Sequence, residues 1–199
     1  MCGITTEADL ETSLQAGANA IGFNFYPKSP RFLTPARARQ IVHAVPGQYL
    51  KVGVFVSPGE DTLAEAASLV PLDVLQLHGE RLGYLASSYR IWQSANVGKS
   101  HNELDANVEA WLFDTPTPQY GGSGQTFDWS LAAGFPCRAI IAGGLDASNV
   151  ATAIRAGHPW GVDACSRLES KPGQKDPARI RLFVEAAMAA FLSRQEIHS

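Results

Sequence analysis

Short apolar runs recur along the chain, separated by longer stretches in which apolar residues return every three or four positions. The runs cover residues 20–25, 50–56, 74–77, 91–97, 111–113, 139–142 and 162–164, and a stub at 1–4 is a candidate eighth. Runs that are apolar almost throughout, instead of alternating with polar positions, predict parallel strands covered on both faces.

The stretches between them carry helix punctuation. Thr6 with Asp9 three residues on resembles a capping box, Leu10 and Leu14 share one face, and Gly17 is placed to end that helix. Thr34-Pro35 sets a cap before a proline at the first helical position. Asp146 is expected to cap a helix containing Val150 and Ile154 that Gly157 ends. Asp176-Pro177 opens a last helix in which Ile180, Phe183, Val184, Ala187 and Phe191 follow helical spacing. A further helix near 102–106 is weakly signalled.

Eight strand–helix units in 199 residues predict an α/β chain folded as a (β/α)₈ barrel, the TIM-barrel architecture, at the small end of its size range. A doubly wound open sheet is the alternative. No Pro/Ser-rich linker divides the chain, so one domain is expected over 1–199. The composition, 45% hydrophobic and 18% charged, suits a globular protein with a sizeable core.

A net charge of −3 and a pI of about 5.9 argue against nucleic acid as partner, since no basic stripe is present to displace counterions. Cys2, Cys137 and Cys165 are an odd set without CxxC spacing, which points to reduced thiols in the cytoplasm. No apolar run approaches the roughly 18 residues that span a bilayer, and the first residues lack a signal-peptide pattern. A soluble cytoplasmic protein with no membrane partner is expected.

In a barrel the active site collects the residues that follow each strand. Here these are Cys2-Gly3, the segment Asn24 to Arg31, His78-Gly79, Asp114, Gly143-Gly144 and Ser166-Arg167. Each has a plainer reading. Cys2 suits a small buried hydrophobe as well as a catalyst. Asp114 suits a loop cap or a catalytic carboxylate at a strand end. Arg31 suits a solvated loop cation, and His78 a hydrogen-bonded structural histidine. Gly143-Gly144 before a helix suits a tight turn, but also a phosphate site built from backbone N–H groups. Gly121-Gly122-Ser123-Gly124 lacks the Lys-Ser/Thr ending of a nucleotide loop and reads as a lid. No His-x-His or His-Glu-x-x-His pattern occurs, so metal hydrolysis is not expected.

Cys2-Gly3-Ile4-Thr5, the segment Gly22-Phe23-Asn24-Phe25-Tyr26-Pro27-Lys28-Ser29-Pro30-Arg31, and Val52-Gly53-Val54-Phe55-Val56 resemble the phosphoribosylanthranilate isomerase family. So do Leu75-Gln76-Leu77-His78-Gly79, the glycine loop with Gln125-Thr126-Phe127-Asp128-Trp129, Ala142-Gly143-Gly144-Leu145, and Glu169-Ser170 with Lys175-Asp176. The motifs occur in the family's order over nearly the whole chain. The resemblance implies an Amadori rearrangement of N-(5-phosphoribosyl)anthranilate in tryptophan biosynthesis, with no cofactor and no metal. It implies Cys2 as general base, Asp114 as general acid, Arg31 on the anthranilate carboxylate, and Gly143, Gly144, Ser166 and Arg167 around the phosphate. The partner it implies is a small sugar-phosphate substrate, and the family includes monomers and homodimers. Near pH 7 a free thiol (pKa about 8.5) and an aspartate (about 3.9) both start in the wrong protonation state. The site is therefore expected to favour the Cys2 thiolate and to disfavour ionised Asp114.

Two departures from the family pattern stand out. Met1 directly precedes Cys-Gly, where the family has several more residues, so a shortened first strand is expected and barrel closure beside it is in question. Cys165-Ser166-Arg167 replaces the commoner Ser-Ser-Gly; arginine would be strained there if the position needs positive φ. Rival readings are a related barrel of histidine synthesis, which typically uses paired aspartates after strands one and six, and a non-catalytic sugar-phosphate binder.

Overall fold

The computed structural model describes residues 1–79, 89–96, 105–114 and 127–196. The glycine loop at 121–124, most of the helix expected near 102–106, and Val97 lie outside the described residues.

Seven strands form one sheet: β1 (Ala20–Asn24), β2 (Leu50–Val56), β3 (Val74–His78), β4 (Arg90–Asn96), β5 (Val108–Asp114), β6 (Arg138–Ile141) and β7 (Gly161–Val162). Every neighbouring pair is parallel, and the spatial order follows the chain from β1 to β7. A doubly wound sheet reverses its order part-way; this one does not. The stub closes the ring. Met1 O accepts the Gly22 N–H at 2.8 Å on one side, and the Cys2 N–H donates to Ala164 O, just past β7, at 3.1 Å on the other. The fold is a (β/α)₈ barrel with a shortened first strand.

Both faces of the strands are buried, which is why the runs do not alternate. Val52, Val54, Val74, Trp92, Ala110, Leu112, Ile140 and Ala142 pack on one another inside the ring. Their sequence neighbours Phe55, Leu75, Ile91, Trp111, Phe113 and Ile141 join the larger core outside the ring. Fully burying such a side chain contributes about 1.5–3 kcal/mol, so the two layers specify register, since a one-residue slip would exchange them.

Helices α1 (Glu7–Gln15), α2 (Pro35–Ala44), α3 (Glu60–Leu69), α4 (Val150–Gly157) and α5 (Pro177–Glu196) follow. Thr6 Oγ1 accepts the Asp9 N–H at 3.1 Å, and Thr34 Oγ1 the Arg37 N–H at 3.2 Å, as the caps required. Gly17, at φ +101°, takes the left-handed turn after α1. Asp176 Oδ1 accepts the Ala178 N–H at 2.9 Å at the head of α5.

Helix α4 differs from expectation at both ends. The residue at its N-cap is Asn149, not Asp146. The Asp146 carboxylate instead accepts the Ser148 N–H at 2.9 Å in a turn that leads into the helix. At the other end His158, not Gly157, takes the left-handed conformation (φ 45°). Gly157 is needed for close approach: a Cβ there would lie 2.7 Å from Trp129 O and collide with Ile141.

A small hairpin, β8 (Glu169–Lys171) and β9 (Gln174–Lys175), follows β7 and turns at Pro172-Gly173. Thr5 Oγ1 donates to Gly173 O at 2.7 Å, tying the hairpin to the stub.

Candidate active site

Because β1 to β7 all run parallel, their C-terminal ends open on one side of the ring. A cavity of about 340 Å³ sits there. Cys2, Arg31, Asp114, Gly143, Gly144, Ser166 and Arg167 all line it, together with Asn24, Gln76, His78, Asp163 and Cys165. The seven residues singled out in the sequence therefore converge on one space, although 165 positions separate the first from the last.

Local structure fixes each of them. After β1, Asn24 Oδ1 accepts the Tyr26 N–H at 2.9 Å and Ser29 Oγ accepts the Arg31 N–H at 3.1 Å, so the Tyr-Pro-Lys-Ser-Pro-Arg loop is held by its own side chains. The chain then rejoins the sheet where the Leu33 N–H donates to Asn24 O at 2.9 Å. Asp114 is the last residue of β5, half-buried, in register with Asn96. Gly143 and Gly144, at φ 81° and 61°, make two consecutive left-handed turns that a side chain would strain. The Asn149 side-chain amide holds this turn, donating to Gly144 O at 2.9 Å. Arg167 lies in a short 3₁₀ turn (Ser166–Leu168). It is not at positive φ, so the feared strain is absent. Its guanidinium lies 3.3 Å from Asp146 Oδ2.

Arg31 does more than project into the cavity. Its Nε and Nη2 both donate to the Glu169 carboxylate at 2.8 Å, a two-point contact. Lys175 Nζ, whose side chain is wholly buried, donates to the same carboxylate at 3.0 Å. Burial raises the Glu169 carboxyl, but Arg31 and Lys175 outweigh it and hold the group below the usual range. Burial likewise opposes the charge on Lys175, yet Cys165 and Glu169 keep it above the ordinary lysine value.

Lys175 Nζ also reaches Cys165, 3.1 Å from its carbonyl oxygen and 3.6 Å from its sulfur. The neighbouring Cys165, burial and nearby Asp163 together push the Cys2 thiol well above the usual range. Cys165 moves the other way: its neighbour Cys2 lowers it, burial and Glu169, 3.9 Å from its sulfur, oppose, and Lys175 and Arg31 add to the lowering. The site thus disfavours the Cys2 thiolate that the sequence led us to expect, and the buried cation stands beside Cys165 instead.

His78 is a structural residue by its surroundings. It is buried, 3.0 Å from the Gln76 side-chain amide, and burial pulls its imidazole down to about 4. It is neutral at pH 7, an acceptor that fixes Gln76 at the cavity floor.

Glu169, Lys175, Cys165 and Asp163 carried no assigned role in the sequence. The signal for the first two was the Lys-Pro-Gly-Gln turn, which brings residues 169 and 175 opposite each other in a hairpin.

The family model for N-(5'-phosphoribosyl)anthranilate isomerase matches residues 1–186. The chain belongs to the N-(5'-phosphoribosyl)anthranilate isomerase family. It is thus an isomerase of tryptophan biosynthesis. The N-(5'-phosphoribosyl)anthranilate isomerase of Solibacter usitatus is 49% identical over 195 residues, covering 96% of each chain. The crystal structure of phosphoribosyl anthranilate isomerase from Thermotoga maritima superposes with a TM-score of 0.83 at 37% identity, covering 95% of this chain and 97% of that one. A phosphoribosyl anthranilate isomerase in complex with reduced 1-(o-carboxyphenylamino)-1-deoxyribulose 5-phosphate matches with a TM-score of 0.76 at 32% identity, covering 94% and 96%.

Proposed function

We propose that this chain carries out an Amadori rearrangement in which N-(5-phosphoribosyl)anthranilate becomes 1-(2-carboxyphenylamino)-1-deoxyribulose 5-phosphate. Asp114 protonates the ribose ring oxygen, the ring opens to an iminium, and Cys2 removes the proton from C2. The resulting enol collapses to the ketone as C1 gains a proton. Arg31 holds the anthranilate carboxylate, and the turns at Gly143-Gly144 and Ser166-Arg167 hold the phosphate with backbone N–H groups. The reaction is internal to the substrate and draws on no cofactor. The protein works in the cytoplasm as a single domain over 1–199, as a monomer or a homodimer.

The observation that carries this reading is convergence: a thiol, a carboxyl group, a guanidinium and two phosphate-type turns line one cavity of about 340 Å³. That volume falls within the range of small-molecule sites, about 300–1,000 Å³. Arg31 retains a role for the substrate because Glu169 takes its Nε–Nη2 edge, leaving Nη1 without a hydrogen-bond partner among the described residues. The rival reading as a histidine-synthesis barrel calls for paired aspartates, and Cys2 stands where one of them would be.

The test is to generate phosphoribosylanthranilate in place and follow loss of its fluorescence. Purified protein should accelerate that loss without added cofactor. Binding of a product analogue with no turnover would leave a sugar-phosphate binder and remove the enzyme.

A further inference from the structure

The reaction as written gives no part to the hairpin β8–β9, yet the hairpin's contacts converge on Arg31. Glu169, on β8, meets the guanidinium with both carboxylate oxygens: Oε1 accepts from Nε and Oε2 from Nη2, each at 2.8 Å. Lys175, on β9, donates to the same Oε1 at 3.0 Å. From α5, Arg179 Nη1 donates to Glu169 O at 2.7 Å and so fixes the strand that carries the carboxylate. The hairpin's turn also touches the loop of the arginine itself, since a Cβ on Gly173 would lie 2.7 Å from Pro30 O. The stub supplies the remaining wall. A Cβ on Gly3 would stand 2.7 Å from Arg31 Cδ, so glycine there lets the arginine stem lie across the backbone beside Cys2.

We propose that Glu169 and Lys175 are positioning residues for Arg31, and that they set the selectivity of the site for an N-aryl sugar phosphate whose ring carries an ortho carboxylate. This rests on the reading of Arg31 as the partner of that carboxylate, and names what gives the partner its orientation and its charge.

Two requirements meet in the cluster. A free arginine on a loop samples many rotamers, and ordering it on binding subtracts from affinity. Here the ordering is done in folding. The two parallel N–H···O bonds fix the plane of the guanidinium, so Nη1 is in place before the ligand arrives. A carboxylate paired with Arg31 alone would cancel the charge that draws the ligand in. Lys175 prevents this by giving the group of three residues two positive charges against one negative. Its side chain is wholly buried, so it acts through Glu169 and not by touching the ligand. The excess charge is weakly screened, because Arg31 and Glu169 are themselves largely withdrawn from water. Lysine could not replace Arg31, since an ammonium has no second edge to offer once its first is taken.

The test separates orientation from charge and both from packing. Two ligands are compared by calorimetry: the reduced form of 1-(2-carboxyphenylamino)-1-deoxyribulose 5-phosphate, and the same compound with a plain phenyl ring. The wild type should prefer the carboxylate ligand roughly ten- to hundredfold, as a hydrogen bond to a charged group is worth, and Arg31→Met should abolish the preference. Glu169→Gln/Lys175→Met removes one charge of each sign, so it keeps the excess but loses the two-point dock; it should cut the preference by about tenfold. Lys175→Met keeps the dock and loses the excess, and should cut the preference by less. The plain phenyl ligand should bind all of them as it binds the wild type. In turnover of phosphoribosylanthranilate the double variant should raise KM with kcat little changed, because a carboxylate off the reacting carbons is held alike in ground and transition states. A merely structural role would weaken both ligands equally. An unmoved ratio in either Lys175 variant, while Arg31→Met loses the preference, would overturn the proposal. A ratio near one in the wild type would remove the role of Arg31, and the proposal with it. Selective binding that is lost in the double variant, in a protein that leaves phosphoribosylanthranilate unchanged, would sink the isomerase reading and leave the positioning of Arg31 standing.

Discussion

The two ends of the barrel hold cavities that differ in size and in kind. The opening at the N-terminal ends of the strands is the larger, about 630 Å³, and is lined by Met1, Leu50, Val52, Trp92, Trp160, Phe183 and Phe191 among others. The mouth at the C-terminal ends is about 340 Å³ and collects Cys2, Arg31, His78, Asp114, Asp163 and Cys165. Cys2, Gln76 and Asp163 touch both, so a single layer of side chains separates them. Volume does not identify a site. The convergence of buried, mutually perturbed polar groups does.

The charged clusters differ in the same way. At the mouth, Glu169 is paired with Arg31 and Lys175 in a setting that leaves its side chain 3% exposed. At the opposite end, Glu109 also joins two cations, Arg90 and Arg138, each at 2.7 Å, but those arginines are 43% and 51% exposed. Removing one partner of a buried pair typically costs roughly 3–5 kcal/mol, whereas exposed pairs contribute about 0–1 kcal/mol. Lys175→Met should therefore lower stability in denaturant toward the lower end of that first range, since Arg31 still faces Glu169. A loss under about 1 kcal/mol would show that the mouth cluster behaves like the exposed one.

His78 sharpens the contrast through pH. Its native pKa, about 4, lies below its unfolded value of 6.5, so below pH 6.5 the unfolded chain binds a proton that the native protein refuses. Stability present above pH 6.5 is lost progressively as pH falls to about 4, by about 3 kcal/mol in total. His78→Gln should flatten that part of the stability–pH curve, and an unchanged slope would place its origin elsewhere.

The smallest effects belong to the N-terminal end. Glu109→Gln should cost no more than about 1 kcal/mol. Gly161 opens β7, and a Cβ there would meet only Ile140, at 3.8 Å. Gly161→Ala should raise stability by about 0.4–1 kcal/mol and leave turnover as it is. A fall in kcat/KM in either variant would mean that the two ends are coupled.

What could be seen in the sequence was local. The run at 50–56 became β2 with the same limits, and Thr6 and Thr34 cap the helices they precede, because caps and buried strands depend on residues within one turn of each other. The rule that barrels place function after each strand located all seven candidate residues. Less legible was whatever depends on distant parts of the chain. Gly157 is shaped by Ile141 and Trp129, not by a helix end. The stub closes the ring by bonding at once to Gly22 and Ala164, which no local pattern reveals. The cation against the Cys165 sulfur is Lys175, ten residues past Cys165 and 173 past Cys2, and brought back by the hairpin.

The most direct measurement is turnover of phosphoribosylanthranilate by the wild type, Cys2→Ser and Asp114→Asn, side by side with their melting temperatures. A proton-transfer group is typically worth about 10²–10⁴-fold in rate. An active wild type, with each variant down by at least about a hundredfold at an unchanged Tm, is the predicted result. A wild type that leaves the substrate untouched, or either variant working at a near-normal rate, would contradict the pairing of thiol and carboxyl across one sugar.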